Sequence, residues 1–247
     1  MKHKVFLIVV CVLAAVVLFV VINMLIIKFN GKPVPAPTIP RGPQQLGEGR
    51  KLTYVVMGDS TAIAQGAPYK DGYAVASAKH LAAAHAVTFV NVGVSGAVAN
   101  DVAGPQLTEA LRYKPDIVLI AVGANDVTHF TSGSAVEQAM QQTIDGLRQA
   151  NPAVKIIVTG SPAMDTVPRF PWAAQRIALW RVHSVNAVFE RLVAKNHLVF
   201  APIATETRAA FKADPTLFAP DKFHPNARGY ALWTPVITRA LDEAVRQ

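Results

Sequence analysis

From residue 52 onward, five short runs rich in Val and Ile, at 52–57, 87–92, 117–122, 154–159 and 198–203, alternate with longer stretches of helical periodicity. Runs of this length with few charges read as strands buried on both faces. The stretches between them, near 73–84, 102–113, 135–150 and 172–195, with a last one after Asn226, read as helices. Strand and helix in alternation imply an α/β fold, a parallel sheet wrapped by helices. In such sheets ligands bind beyond the carboxyl ends of the strands. Ser60 follows the first run, Gly93 and Gly96 the second, and Asn125 the third. Three chemically capable segments therefore converge on one rim.

Those segments carry short motifs. Gly58-Asp59-Ser60, Gly123-Ala124-Asn125-Asp126 and Asp221-Lys222-Phe223-His224-Pro225 occur in that order. At residue frequencies of roughly 2–8 %, the patterns Gly-Asp-Ser, Gly-x-Asn-Asp and Asp-x-x-His-Pro each arise by chance in about one to six such chains per hundred, and all three together in a fraction of about 10⁻⁴ or less. A serine hydroxyl is a poor nucleophile until a base takes its proton, and that base is usually a histidine oriented by a carboxylate. Ser60, His224 and Asp221 supply these three types. Asp221 and His224 are three apart, so one turn can present both, and Pro225 fits the start of the helix that follows.

With these residues in view, the chain resembles the GDSL esterases and lipases of the SGNH hydrolase superfamily over nearly everything from Leu52 to the C-terminus. The matching blocks are Val56-Met57-Gly58-Asp59-Ser60, Asn91-Val92-Gly93-Val94-Ser95-Gly96, Gly123-Ala124-Asn125-Asp126 and Asp221-Lys222-Phe223-His224-Pro225-Asn226. The resemblance implies a three-layer α/β/α sandwich of flavodoxin-like type with a five-stranded parallel sheet. It implies Ser60 as nucleophile with Asp221 and His224 completing a catalytic triad, and an oxyanion hole made by the N–H groups of Ser60 and Gly96 and the amide of Asn125. Glycine at position 96 would keep a side chain from crowding the approaching carbonyl. The chain departs from the family pattern in two places: the glycine that often follows the serine by about four positions comes later, as Gly66, and the second block continues into Ala97-Val98.

Other readings of the same residues are milder. Gly58 to Ser60 could be a strand-to-helix turn with a capping serine, and Asn125-Asp126 an ordinary turn. Asp59 and Asp126 read as structural, since the triad already has its carboxylate. His129 reads as a loop or structural residue near the pocket. Gly58-Asp59-Ser60-Thr61-Ala62 matches four-fifths of the α/β-hydrolase elbow, but that fold does not place the nucleophile after the first strand or the acid so near the histidine. His80 and His85, five apart, face different sides of a helix, and neither a metal nor a cofactor is expected.

The N-terminus is of another kind. Residues 5–27 contain no charge and only Asn23 is strongly polar, enough at about 1.5 Å per residue to cross a bilayer core of about 30 Å. A cleavable signal has a shorter apolar stretch ending in small residues, whereas this run ends in Leu25, Ile26 and Ile27. The expectation is therefore an uncleaved single-pass signal-anchor at 1–28, a Pro-rich linker at 29–50 and the hydrolase domain at 51–247. Pro33, Pro35, Pro37, Pro40 and Pro43 suit a semi-rigid polyproline stalk. Lys2 and Lys4 on one side and Lys28, Lys32 and Arg41 on the other give no decisive charge bias. By analogy with common signal-anchors, the domain is expected outside the cytoplasm. Cys11, the single cysteine, lies within the span, so no disulfide framework is expected.

The formal charge of +8 is scattered, which fits attraction to anionic headgroups and not nucleic-acid binding, for which no motif is present. The expected partners are an ester substrate and the membrane, and the oligomeric state is left open. Acyl esters of lipids, including lysophospholipids, are the preferred substrates, because Phe130, Met164, Val167, Phe170, Trp172 and Trp180 fall in segments that should flank the cleft. O-acetyl groups of envelope polysaccharide are the alternative. A non-catalytic anchored binding protein is a third reading, one with no physical need of a full set of catalytic groups.

Overall fold

In the computed structural model, residues 2–40 and 42–246 are described. Met1, Arg41 and Gln247, expected in the anchor, the linker and the catalytic domain, lie outside the described residues. Six strands form one sheet in the order β1-β3-β2-β4-β5-β6. They are β1 (Gln44–Leu46), β2 (Arg50–Gly58), β3 (His85–Asn91), β4 (Ile117–Ala121), β5 (Lys155–Val158) and β6 (Val199–Phe200). All five expected strands are present and mutually parallel.

The sixth, β1, corrects the expected five-stranded sheet: it pairs antiparallel with β3, with Gln45 opposite Thr88. Its sequence, Gln-Gln-Leu after Pro43, has no apolar run to reveal it, and it holds only by covering the exposed edge of β3. Strand β6 is shorter than expected because Pro202 follows it and opens a helix.

The helices are α1 (Lys2–Phe29), α2 (Tyr73–Ala82), α3 (Ala99–Asp101), α4 (Leu107–Leu111), α5 (Ala124–Thr128), α6 (Gly133–Ala150), α7 (Trp172–Asn196), α8 (Ile203–Ala213) and α9 (Ala227–Arg246). Alternation along β2 divides the core. Val55 and Met57 pack with residues of α4, α6 and α7 on one face, while Tyr54 and Val56 pack with α2, α8 and α9 on the other. The helix expected at 102–113 is broken: 102–106 form a π-helical turn containing Pro105, between α3 and α4. Such a turn re-aims the side chains that follow it, and here it holds Gln106.

Helix α1 is long and apolar enough to cross a membrane, and its described side chains are exposed except for Asn23 and Ile27, which are half-buried. The segment after it does not extend away as a stalk. Gly31, Val34 and Pro37 are half-buried, the period of three expected of polyproline geometry lying along a surface. The N–H of Lys32 donates to the carbonyl of Pro220 (2.9 Å), and the Gln65 amide donates to the carbonyl of Val34 (3.1 Å).

The sheet is tightest where β2 ends. Gly58 has φ +150°, and a Cβ there would lie 2.1 Å from the Ala121 carbonyl oxygen of β4. Gly58→Ala must therefore spread β2 from β4, at a cost of about 2–4 kcal/mol. The expected result is a melting temperature lower by roughly 5–15 °C in a thermal unfolding scan; a shift under about 1 °C would show that the two strand ends are not clamped.

Candidate active site

Gly58 is bonded to each neighbouring segment of the rim. Its N–H donates to Gln106 Oε1 (2.8 Å), its carbonyl accepts from Gln106 Nε2 (2.9 Å) and from the N–H of Val94 (3.0 Å), and the next N–H, of Asp59, donates to the Ala121 carbonyl (3.1 Å). The chain then turns sharply, with the Ser60 carbonyl accepting from the N–H of Gln65 (2.9 Å). Asp59 fixes that turn: its Oδ1 accepts from the N–H and the hydroxyl of Thr61 (2.9 and 2.8 Å). Gln106 was not singled out in the sequence, where nothing separates it from any other polar residue of a helical stretch.

The Ser60 hydroxyl lies 2.9 Å from His224 Nε2, and His224 Nδ1 lies 2.6 Å from Asp221 Oδ2. The other carboxylate oxygen, Oδ1, accepts from the N–H groups of Phe223 and His224, both at 3.0 Å. Burial would raise the Asp221 carboxyl, but the His224 ring and these two N–H groups outweigh it, so the group ionises below the usual carboxylate range. The three residues named from sequence thus form one hydrogen-bonded chain.

Pro225 corrects a detail. It does not begin α9 but precedes the cap residue Asn226, whose Oδ1 accepts from the N–H of Arg228 (3.0 Å) and of Gly229 (3.2 Å). The displaced glycine, Gly66, has its place beneath this loop. At φ +99°, a Cβ there would lie 2.5 Å from the Pro225 carbonyl oxygen and 2.9 Å from His224 Cβ.

Gly96 stands in a tight turn closed by the N–H of Ala97 donating to the Val94 carbonyl (3.1 Å). Within the protein a Cβ at 96 would meet nothing within 4 Å, and the positive φ of +83° by itself favours glycine here. Asn125, in α5, donates from Nδ2 to the Ala97 carbonyl (2.9 Å), which couples it to the Gly96 turn and leaves its second amide hydrogen available. Among the described residues, neither the Ser60 N–H nor the Gly96 N–H donates to a protein acceptor. Asn91, another residue the sequence gave no reason to weigh beyond its block, ties the two turns together. Its amide donates to the Ala62 carbonyl (2.8 Å) and accepts from the N–H of Gly93 (2.9 Å).

Asp126 is fully buried and accepts from the N–H of Ala99 (3.1 Å), and burial raises its carboxyl above the usual range. Arg181 of α7, also buried, donates to the carbonyls of Asp126 and Thr131. Both residues brace the Asn125 segment and bond to none of Ser60, Asp221 and His224. His129 is exposed. Among the described residues, no group of three metal-ligating side chains exists.

Beside Ser60 and His224 lies a cavity of about 30 Å³, lined by Met164, Val167, Phe218 and Phe223 among others. Of the residues expected to flank the cleft, Met164 and Val167 do so. Phe130 and Phe170 instead line a separate groove, and Trp172 and Trp180 are exposed.

Residues 56–232 match the model of the GDSL-like Lipase/Acylhydrolase family. The GDSL-like esterase Rv1075c of Mycobacterium tuberculosis is 26 % identical over 135 residues, which is 54 % of this chain and 42 % of that protein. The chain thus spans under half the length of this curated relative. Among solved structures, TesA is similar with a TM-score of 0.64 at 19 % identity, over 78 % of this chain and 99 % of its own. The lipase/acylhydrolase of Enterococcus faecalis aligns with a TM-score of 0.60 at 22 % identity, over 80 % and 97 %.

Asp59 is 1 % exposed, and burial pushes its carboxyl up to about 6. A raised folded value in an acid is a stability penalty present above about pH 6 and absent below about pH 4. In Asp59→Asn the pH-dependent part of that penalty disappears. Relative to the parent, the variant should gain about 3 kcal/mol between pH 4 and pH 8, measured as denaturant midpoints at both pH values. A difference independent of pH would show that Asp59 is ionised without cost.

Proposed function

We propose, for a chain that belongs to the GDSL-like lipase/acylhydrolase family, that its ester hydrolysis runs through Ser60, His224 and Asp221, with Ser60, Gly96 and Asn125 as the oxyanion hole. The observation that carries this reading is the unbroken line of contacts from Asp221 through the His224 ring to the Ser60 hydroxyl. Ser60 Oγ attacks the acyl carbonyl as its proton passes to His224 Nε2. Asp221, held ionised, keeps the other ring nitrogen protonated and stabilises the imidazolium. The oxyanion is met by the N–H groups of Ser60 and Gly96 and the free amide hydrogen of Asn125. Collapse expels the alcohol, which takes the proton from His224; water then repeats the sequence on the acyl-serine and releases the acid.

For the substrate, our reading is an acyl ester of a lipid. The apolar lining of the cavity beside Ser60 and the larger apolar groove that borders it support this. O-acetyl ester hydrolysis is the second reading, and one observation favours it: the cavity beside the nucleophile is small, about 30 Å³. We further propose that residues 1–28 form an anchor that is retained, that the proline-rich segment after it joins the anchor to the hydrolase domain while lying along its surface, and that this domain, which takes in β1 at Gln44–Leu46, works outside the cytoplasm. The supporting observation is the length and apolarity of α1, which a signal sequence would share.

Turnover of p-nitrophenyl esters from acetate to palmitate tests the reading. Ser60→Ala should abolish it. Asn125→Ala should lower kcat by about 10²–10³ with KM within a few-fold, and Asp221→Asn by roughly 10³–10⁴. Undiminished turnover in Ser60→Ala would overturn the assignment, and the chain-length optimum separates the two substrate readings.

A further inference from the structure

We infer that the apolar groove between α1 and α7 is a binding site for the acyl chain of a bilayer lipid, and that on the esterase reading above, on which this part rests, it delivers the chain's ester end to Ser60. The groove measures about 380 Å³ and is lined by Phe19, Met24 and Ile27 of α1 and by Phe130, Phe170 and Ile177 across from them. That is within the roughly 300–1,000 Å³ of ordinary ligand sites and more than ten times the cavity beside Ser60. A long acyl chain fits the first and not the second.

The groove lies against the site. Phe170 on its wall meets Phe223 edge to face, with centroids 5.9 Å apart, and Phe223 meets the His224 ring at 5.0 Å while lining the cavity beside Ser60. One pair of aromatic rings therefore separates the two spaces.

Helix α1 is joined to the domain at this same place. Arg169 Nε donates to the Ile27 carbonyl (2.8 Å), Asn30 Nδ2 to the Pro168 carbonyl (2.9 Å), and Lys222 Nζ to Asn30 Oδ1 (2.7 Å). A Cβ on Gly31 would lie 2.3 Å from the Asp221 carbonyl oxygen. The end of the apolar helix is thus packed onto the loop that carries Asp221 and His224.

The occupant follows from this continuity. With α1 in a bilayer, a groove walled by Phe19 to Ile27 opens among lipid tails, and apolar surface there is covered by hydrocarbon and not by water. Trp172 and Trp180, 74 % and 63 % exposed, belong to the same end of α7, and tryptophan is enriched where membrane meets water. Arg181 also lines the groove. Its Nε is, among the described residues, the one buried side-chain polar atom without a hydrogen-bond partner, and an oxygen of a lipid entering the groove would supply one.

The test uses the full chain in phosphatidylcholine vesicles doped with a lipid carrying a diazirine on its acyl chain. After photolysis, crosslinks should map to residues 19–27 and 170–181, and Ala174→Trp, which fills the groove from a half-buried position, should reduce them at least fivefold. Ile177→Glu, a charge in the same groove at an exposed site, should do likewise. In both variants the ratio of palmitate to acetate turnover should fall about tenfold. Crosslinks confined to the outer turns of α1, equal yields in parent and variants, or a membrane-purified chain lacking residues 1–28 would overturn the inference. Groove crosslinks in a parent chain that turns over no ester would overturn the esterase reading and leave the lipid site standing.

Discussion

The backbone at Gly58 is the constraint on which the rest of the site depends. Within two residues it meets the carbonyl end of β4, the loop after β3 and the amide of Gln106. No side chain fits between Gly58 and Ala121, so the two strand ends lie at backbone contact and the chain must turn at once. That turn lifts Ser60 to the rim. The same bonds set the heights of the Gly96 turn and, through Ala97, of the Asn125 amide. The Ser60 N–H, the Gly96 turn and the Asn125 amide are thus carried on segments tied to one residue.

Environment sorts the carboxylates of this region into different tasks. Asp221 is buried too but receives three donors, so it ionises readily and can hold an imidazolium. Asp59, one residue before Ser60, is sealed from water with only Thr61 to donate to it, and its carboxyl rises. Side-chain type alone does not separate these two carboxyls. The number of donors pointed at the charged form, set against burial, does.

Much of this was legible in the sequence, and the exceptions have a common cause. The five parallel strands announce themselves because strands buried on both faces must be apolar throughout. Ser60, Asp221 and His224 announce themselves because their types and order are rare in combination. Gly66 is visible as a displaced glycine, but its reason, the approach of the Pro225 carbonyl and the His224 side chain, is a contact between residues far apart in the chain. Gln106, Asn30, Arg181 and β1 were not legible for the same reason: each is a polar or short segment whose role is fixed by what the fold brings to it. The stalk was misjudged likewise. Proline composition predicts extended geometry, which is present, but cannot tell an extended chain in solvent from one lying along a surface.

The joint between α1 and the 220–222 loop makes the N-terminal helix part of the site's surroundings, since Asn30 and Gly31 touch the loop that carries Asp221 and His224. The central claim remains that this loop presents His224 to an activated Ser60. It is tested most directly by treating the full chain with a fluorophosphonate and locating the adduct by peptide mass spectrometry. The account predicts a single phosphonylated serine at Ser60, with labelling strongly slowed in His224→Ala. An adduct on another serine, or a folded chain that does not react at all, would contradict it.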